Sequence, residues 1–328
     1  MKPKNCLIFG ASGLIGRNLI RKLTKNNFKV TAVTRNLHQK GYVLKTQGNP
    51  GYLDIFESGI FDKDKLSSLI KNTEICINLV GILYQKGQIN TFENIHEKFP
   101  ALLSNLCREF NVKQFIHLSA LGIEQATDSL YAISKLNGEI QIKKNFKTAT
   151  ILKPSVVYSV DDNFTTNFMT LLNRFPFFPL YYKGSTLFRP INVSDLVEII
   201  YQVVVQNFKS ITIECVGPEE ISLKNILQRL LKLIGKKRLL IPIPLLIAKL
   251  SANFFQLFPK PLLTVDQLRL LKYENIPSGK YKTNFDLEIP SHANFDTEVE
   301  KYCYMWREAG QFSQIKQKNR ANKPTFYH

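Results

Sequence analysis

Three glycines, Gly10, Gly13 and Gly16, directly follow a short apolar run, Cys6 to Phe9, and open an amphipathic stretch. Strand, glycine turn and helix in that order leave few folds open. The glycines let the backbone turn tightly and approach a phosphate, and the helix start offers unpaired amides and a positive dipole end. The loop Gly10-Ala11-Ser12-Gly13-Leu14-Ile15-Gly16 is therefore read as a cradle for a dinucleotide pyrophosphate. Behind it, Ile15, Leu19 and Leu23 form a stripe suited to packing on a sheet, while Arg17, Arg21 and Lys22 face elsewhere.

Further apolar runs, Val30 to Thr34, Ile75 to Val80, Phe115 to Leu118, Ala149 to Leu152 and Ile211 to Cys215, alternate with helical patterns. That alternation predicts an α/β fold, a Rossmann-type doubly wound parallel sheet with a smaller, partly helical C-terminal cap. Residues 1–155 are expected to form the dinucleotide-binding core. Residues 156–312 form the cap region, with a sheet-completing strand near 211–215 and C-terminal helices, including one over Ser222 to Ile234. Residues 313–328 read as a basic tail.

The nucleotide is read at the end of the second strand, where an acidic residue would hold the adenosine ribose hydroxyls of NAD. Thr34-Arg35-Asn36 stands there instead. A guanidinium suits a 2′-phosphate, so NADP(H) is favoured over NAD(H). Val80 and Gly81, after a later strand, place a small residue where backbone would pass the cofactor ribose; a simple turn glycine is the alternative.

Tyr131-Ala132-Ile133-Ser134-Lys135 falls in a helical stretch, so Tyr131 and Lys135 share a face one turn apart. An ammonium beside a phenol favours the phenolate and brings it toward acid/base work. His96 and His117 lack metal-ligand spacing, Asp161-Asp162 reads as a solvated turn, and no metal site is expected. Asp195 is read as the cap of a helix over Leu196 to Val204, or as reaching toward the cap.

Five scattered cysteines, none in a CxxC pair, indicate neither a disulfide framework nor zinc, and point to a reducing compartment. The N-terminal apolar run is too short for a signal core, and no stretch reaches the roughly 20 residues of a membrane span. The net charge of +18 asks for an acidic partner or a solvated surface. No nucleic-acid module accompanies it, so nucleic acid is not expected as a partner. Residues 236–260, apolar but flanked by Lys236 to Arg238 and Lys260, suit an anionic membrane surface; a buried cap helix is the alternative.

Across these motifs the chain resembles the extended short-chain dehydrogenase/reductases. More narrowly it resembles the complex I alpha subcomplex subunit 9 family and its bacterial relatives. The matching segments are GASGLIGR (10–17), INLVGILY (77–84), HLSALG (117–122), 131–139, LKPSVVYSVDDN (152–163), RPINVSDL (189–196) and LTVDQLRLL (263–271). The resemblance implies bound NADPH, with Gly10, Gly13 and Gly16 at the pyrophosphate, Arg35 at the 2′-phosphate, and Tyr131 and Lys135 on the ribose side. It implies that Lys153, Pro154, Ser155 and Val156 form the strand beside the nicotinamide, and that the catalytic hydroxyl position is Ser119 or Ala120. His96 or a neighbour stands where such reductases carry an Asn, and Ser58-Gly59-Ile60 where they often carry an adenine-contacting Asp.

Two functions follow from the resemblance. One is a cofactor-holding protein associated with the respiratory chain or ubiquinone metabolism, with complex I subunits or quinone-pathway proteins as partners. It would be cytoplasmic, peripheral on the inner membrane at the bacterial cytoplasmic face or the mitochondrial matrix side. The other is an active NADPH-dependent oxidoreductase, epimerase or dehydratase using Tyr131, Lys135 and Ser119 on a carbonyl or sugar-nucleotide substrate.

Overall fold

The computed structural model describes residues 3–244, 263–308, 310 and 312. The first six strands are β1 (Asn5–Phe9), β2 (Lys29–Thr34), β3 (Leu53–Glu57), β4 (Ile75–Asn78), β5 (Gln114–Leu118) and β6 (Thr150–Pro154). They form one parallel sheet in the order β3-β2-β1-β4-β5-β6, extended past β6 by Ile211–Cys215 and then Lys282–Thr283. The order reverses between β1 and β4, the switch point at which this architecture opens a crevice. The glycine loop leaves β1 at that point.

The first five helices are α1 (Leu14–Lys25), α2 (Leu37–Lys45), α3 (Lys63–Ile70), α4 (Phe99–Glu109) and α5 (Leu130–Asn145). Side chains alternate across the strands and feed two core layers. Cys6 and Ile8 pack with Leu19 and Leu23 of α1 and with Leu196 and Ile200 of the helix Val193–Val205. Leu7 and Phe9 pack with Leu66, Phe99, Leu103 and Ile142 on the other face. A third core joins Tyr158, Met169, Leu227, Leu230 and Phe295 beyond the sheet.

Some sequence expectations need correction. β3 escapes the apolar reading because Asp54 and Glu57 interrupt it, as suits a sheet edge. The helix expected over Leu196 to Val204 spans Val193–Val205, and Asn192, not Asp195, caps it. Asp195 instead accepts from the Ala293 amide at 3.0 Å. Asp161-Asp162 is a solvated turn only in part: Asp161 is exposed and pairs with Arg17, but buried Asp162 accepts from the Thr165 and Thr166 amides at 3.2 and 2.9 Å. Leu239–Pro242 is a strand parallel to Phe177–Leu180, so a buried helix does not begin there. The rest of the 236–260 expectation, from 245 onward, lies outside the described residues, as does the tail 313–328. No helix among the described residues is long and apolar enough to cross a membrane.

Candidate functional site

The site begins with the glycines. Gly10 has φ +78, and a Cβ there would meet Leu79 C at 2.9 Å. At Gly16 it would meet Gly10 O at 2.5 Å and Ala11 O at 2.6 Å, so the turn closes only without side chains. The starts of α2, α3 and α5 are each capped by a side chain, from Asn36, Asp62 and Ser129. α1 alone among these four has no side-chain cap and no acidic residue in its first turn. Its leading amides are thus left for an anion.

A cleft of about 200 Å³ opens at this point, lined by Gly10, Ser12, Gly13, Val33, Thr34, Arg35, Ser58, Gly59, Ile60, Leu79, Val80 and Gly81 among others. Of the predicted loop, the Ala11 side chain is buried in the core and those of Leu14 and Ile15 pack against it, so these residues present backbone to the anion. The cleft fits the adenosine half and pyrophosphate of a dinucleotide: crowded glycines, an uncapped helix and an exposed guanidinium converge on it. Arg35 donates to Asn90 Oδ1 across it. Asp62 Oδ1 accepts from the Lys65 amide at 3.2 Å, capping α3.

Beyond Gly81 the cleft meets the Tyr131 helix. A Cβ on Gly81 would lie 3.4 Å from Lys135 Nζ, so this glycine stands next to the end of the lysine side chain. Tyr131 and Lys135 do lie on α5 as expected, but their electrostatics do not follow the expectation. Burial, with the Asp266 carboxylate adding to it, pushes the Tyr131 phenol up to about 12. Burial pushes Lys135 down to about 8, against the pull of Glu139, and its ammonium donates to Leu118 O at 3.0 Å. One N–H of the ammonium is thus taken by a backbone carbonyl, and the phenol moves away from the ionised form.

Ser119 and Ala120 have different surroundings. Ser119 is buried and donates its hydroxyl to Glu139 Oε1 at 2.5 Å. Ala120 and Tyr131 both pack against the small cluster of Ile123, Ala126 and Ala132, so the residue on the tyrosine's side has no hydroxyl. Lys153, carried over to the nicotinamide strand, is wholly buried and pairs with Glu139 at 2.9 Å and with Glu124. Burial pushes its ammonium down, but Glu139 and Glu124 outweigh that and hold it above the usual lysine value. Pro154 closes β6. The Ser155 hydroxyl and Val156 amide are both taken by Asn275 Oδ1, at 2.6 and 3.1 Å.

The two histidines complete the wall as neutral groups. Ile82 N donates to His96 Nε2 at 3.0 Å, so the ring proton sits on Nδ1 and goes to Ser134 Oγ, also at 3.0 Å. His96 occupies a π-helical turn, Glu93–Lys98, and stands edge-on to Tyr131 with ring centroids 5.2 Å apart. Asn78 Nδ2 donates to His117 Nδ1 at 3.1 Å. Burial, helped by Lys135, pushes His96 down to about 2 and His117 well below the usual histidine value. No group of metal-ligating residues occurs among the described residues.

These depressed histidines give a pH prediction. Each takes up a proton more readily when unfolded, so its contribution is fully present above about 6.5 and is lost as pH falls toward its folded value. Each should cost up to about 1.4 kcal/mol of stability per pH unit below 6.5. Urea melts at pH 7.5, 6.5 and 5.5 should show that fall, and His117→Asn should flatten it. A flat profile in the unaltered chain would contradict neutral burial.

Several residues of this wall were not singled out from sequence. Glu139 could have been, since it follows Lys135 by one helical turn. Asp266 could not: its carboxylate accepts from Ser129 Oγ at 2.8 Å and from the Leu130 and Tyr131 amides at 2.7 and 3.1 Å, capping α5 from a distant helix, Val265–Leu270.

The model of the NAD dependent epimerase/dehydratase family matches residues 6–212, from β1 through the helix that packs on α1. Among curated proteins, NADH dehydrogenase (ubiquinone) 1 alpha subcomplex subunit 9, mitochondrial, of Arabidopsis thaliana is 24% identical over 315 residues, covering 92% of this chain and 78% of that protein. The Mus musculus protein of the same name is 24% identical over 272 residues, covering 82% and 72%. Among solved structures, UDP-glucuronic acid 4-epimerase from Bacillus cereus, in complex with UDP-glucuronic acid and NAD, matches with a TM-score of 0.68 at 18% identity, covering 92% of this chain and 99% of that one. That likeness shows the shared fold. The family model takes in the glycine loop and well over half of the chain, and the chain belongs to the NAD dependent epimerase/dehydratase family.

Proposed function

We propose that this chain holds a nicotinamide dinucleotide, NADP(H) ahead of NAD(H), as a structural or regulatory group within a respiratory assembly of the complex I kind. The observation that carries this reading is the disposition of the acid/base set. The Ser119 hydroxyl donates to Glu139, the Lys135 ammonium donates one hydrogen bond to Leu118 O, and the Tyr131 phenol is pushed up to about 12. When bound, the nucleotide supplies a hydride donor or acceptor; the residues around Tyr131 supply little to pair with it. The relatives named as complex I subunits support the assembly part of the proposal. Arg35 supports the 2′-phosphate part.

A cofactor held in this way adds its binding free energy to folding stability. The place of contact with an anionic membrane or partner is proposed on the ribbon formed by Phe177–Leu180 and Leu239–Pro242, where Phe175, Phe177, Leu239 and Ile241 are exposed. Of the nearby basic cluster, Lys236 is paired with Glu308, and Arg238 is turned onto Leu172 O at 3.0 Å, leaving Lys237 facing solvent.

Tyr131→Phe tests the reading. The variant should carry the same nucleotide, measured by mass after native isolation, and the same co-purifying respiratory subunits as the unaltered chain. An NADPH-linked turnover that disappears in Tyr131→Phe would overturn the proposal in favour of an oxidoreductase.

A further inference from the structure

We infer that Glu57, an acidic residue delivered by β3 rather than β2, limits how strongly the nucleotide site prefers NADPH over NADH. The inference rests on the dinucleotide reading above and concerns its specificity. In this architecture the adenosine ribose is read at the end of β2. That end is Thr34, followed by Arg35 and Asn36, and β3 pairs with β2 so that Glu57 lies directly opposite Thr34. The Glu57 carboxylate accepts from the Leu37 amide, the first of α2, at 2.6 Å. The next residues along, Ser58 and Gly59, line the cleft together with Thr34 and Arg35.

Two opposite charges therefore meet where the 2′ position is read. Arg35 has donors for a phosphate, and its recorded side-chain bond is to neutral Asn90. Glu57 forms no ion pair among the described residues and sits on the α2 amide that a phosphate would otherwise use. A 2′-phosphate arriving here meets a fixed carboxylate as well as a guanidinium, and must share or lose the Leu37 amide. A free 2′-hydroxyl finds the same carboxylate an acceptor. Glu57 thus works against NADPH and for NADH, and Arg35 does the reverse.

Glu57→Gln keeps the shape and an acceptor for the Leu37 amide while removing the charge. The full chain is incubated to equilibrium with equal NADPH and NADH at low salt, and the retained ratio is measured by mass after gel filtration. The NADPH:NADH ratio should rise at least about tenfold over the unaltered chain, equivalent to about 1.4 kcal/mol, and the rise should shrink in high salt. Glu57→Asp, which keeps the charge, should stay near the original ratio. An unchanged ratio in Glu57→Gln, or an equal loss of both nucleotides, overturns the inference and leaves Glu57 only a helix cap. Retention of neither nucleotide by the unaltered chain overturns the dinucleotide reading itself.

Discussion

Gly16→Ala should leave the purified chain without retained dinucleotide, raising the Kd at least about 100-fold, close to 3 kcal/mol. The added methyl carbon would stand 2.5 Å from Gly10 O, 2.6 Å from Ala11 O and 2.7 Å from Ala11 Cα. All three are backbone atoms, so no side chain can swing aside, and the turn joining β1 to α1 must open. Opening it moves the uncapped amides of α1 away from Gly10 and Ser12, the residues that line the cleft beside them. The core is less affected, because Leu19, Ile20 and Leu23 of α1 stay buried against the sheet. The outcome to look for is a folded chain with no nucleotide released on denaturation, against stoichiometric release from the unaltered chain. Gly13→Ala is the internal comparison, since its nearest crowding atom is Gly10 O at 3.3 Å. It should lose far less. Equal retention in Gly16→Ala and the unaltered chain would mean that the glycine loop is not the phosphate cradle.

Much of this architecture is legible in the sequence because the buried strands are continuous apolar runs. Cys6 to Phe9 and Phe115 to Leu118 lie between two helical layers, and burial on both faces favours apolar side chains, with His117 as a buried, hydrogen-bonded exception. β3 fails that test because it is the sheet edge, where Asp54 and Glu57 are tolerated. The glycine loop is legible for a local reason: its geometry depends on residues within one turn of one another. The Tyr131 and Lys135 pair is legible as a motif, yet its chemistry is not. Their proton affinities are set by burial first, then by Glu139 at the lysine and Asp266 at the tyrosine, and the last of these arrives from 135 residues downstream of Tyr131. No local pattern announces that a distant carboxylate will cap the helix carrying a tyrosine. The same holds for Ser119: its place after β5 suggests catalysis, and only the packing of α5 shows its proton turned to Glu139.

Lys153→Met should destabilise the chain by about 3–5 kcal/mol, the usual consequence of stripping one partner from a buried ion pair. Lys153 is fully buried between Glu139, itself 2% exposed, and Glu124, 18% exposed. With the ammonium gone, Glu139 keeps its bond from Ser119 but loses its compensating charge, and Glu124 loses a partner as well. The ring of Tyr281, whose centroid lies 5.1 Å from the ammonium, loses a cation–π contact of roughly 0.5–2 kcal/mol. The methionine itself fills most of the lysine stem's volume, so the loss reports charge and not a cavity. Adding Glu139→Gln to Lys153→Met should therefore recover stability, because the pair then leaves no uncompensated carboxylate at that position. Urea melts of the two single variants and the double variant at neutral pH measure the coupling. If the double variant is no more stable than Lys153→Met alone, the cluster is held by packing, and Glu139 has another task beside Ser119. Recovery with nucleotide still bound would instead separate this charged core from the proposed phosphate cradle, whose backbone amides neither substitution touches.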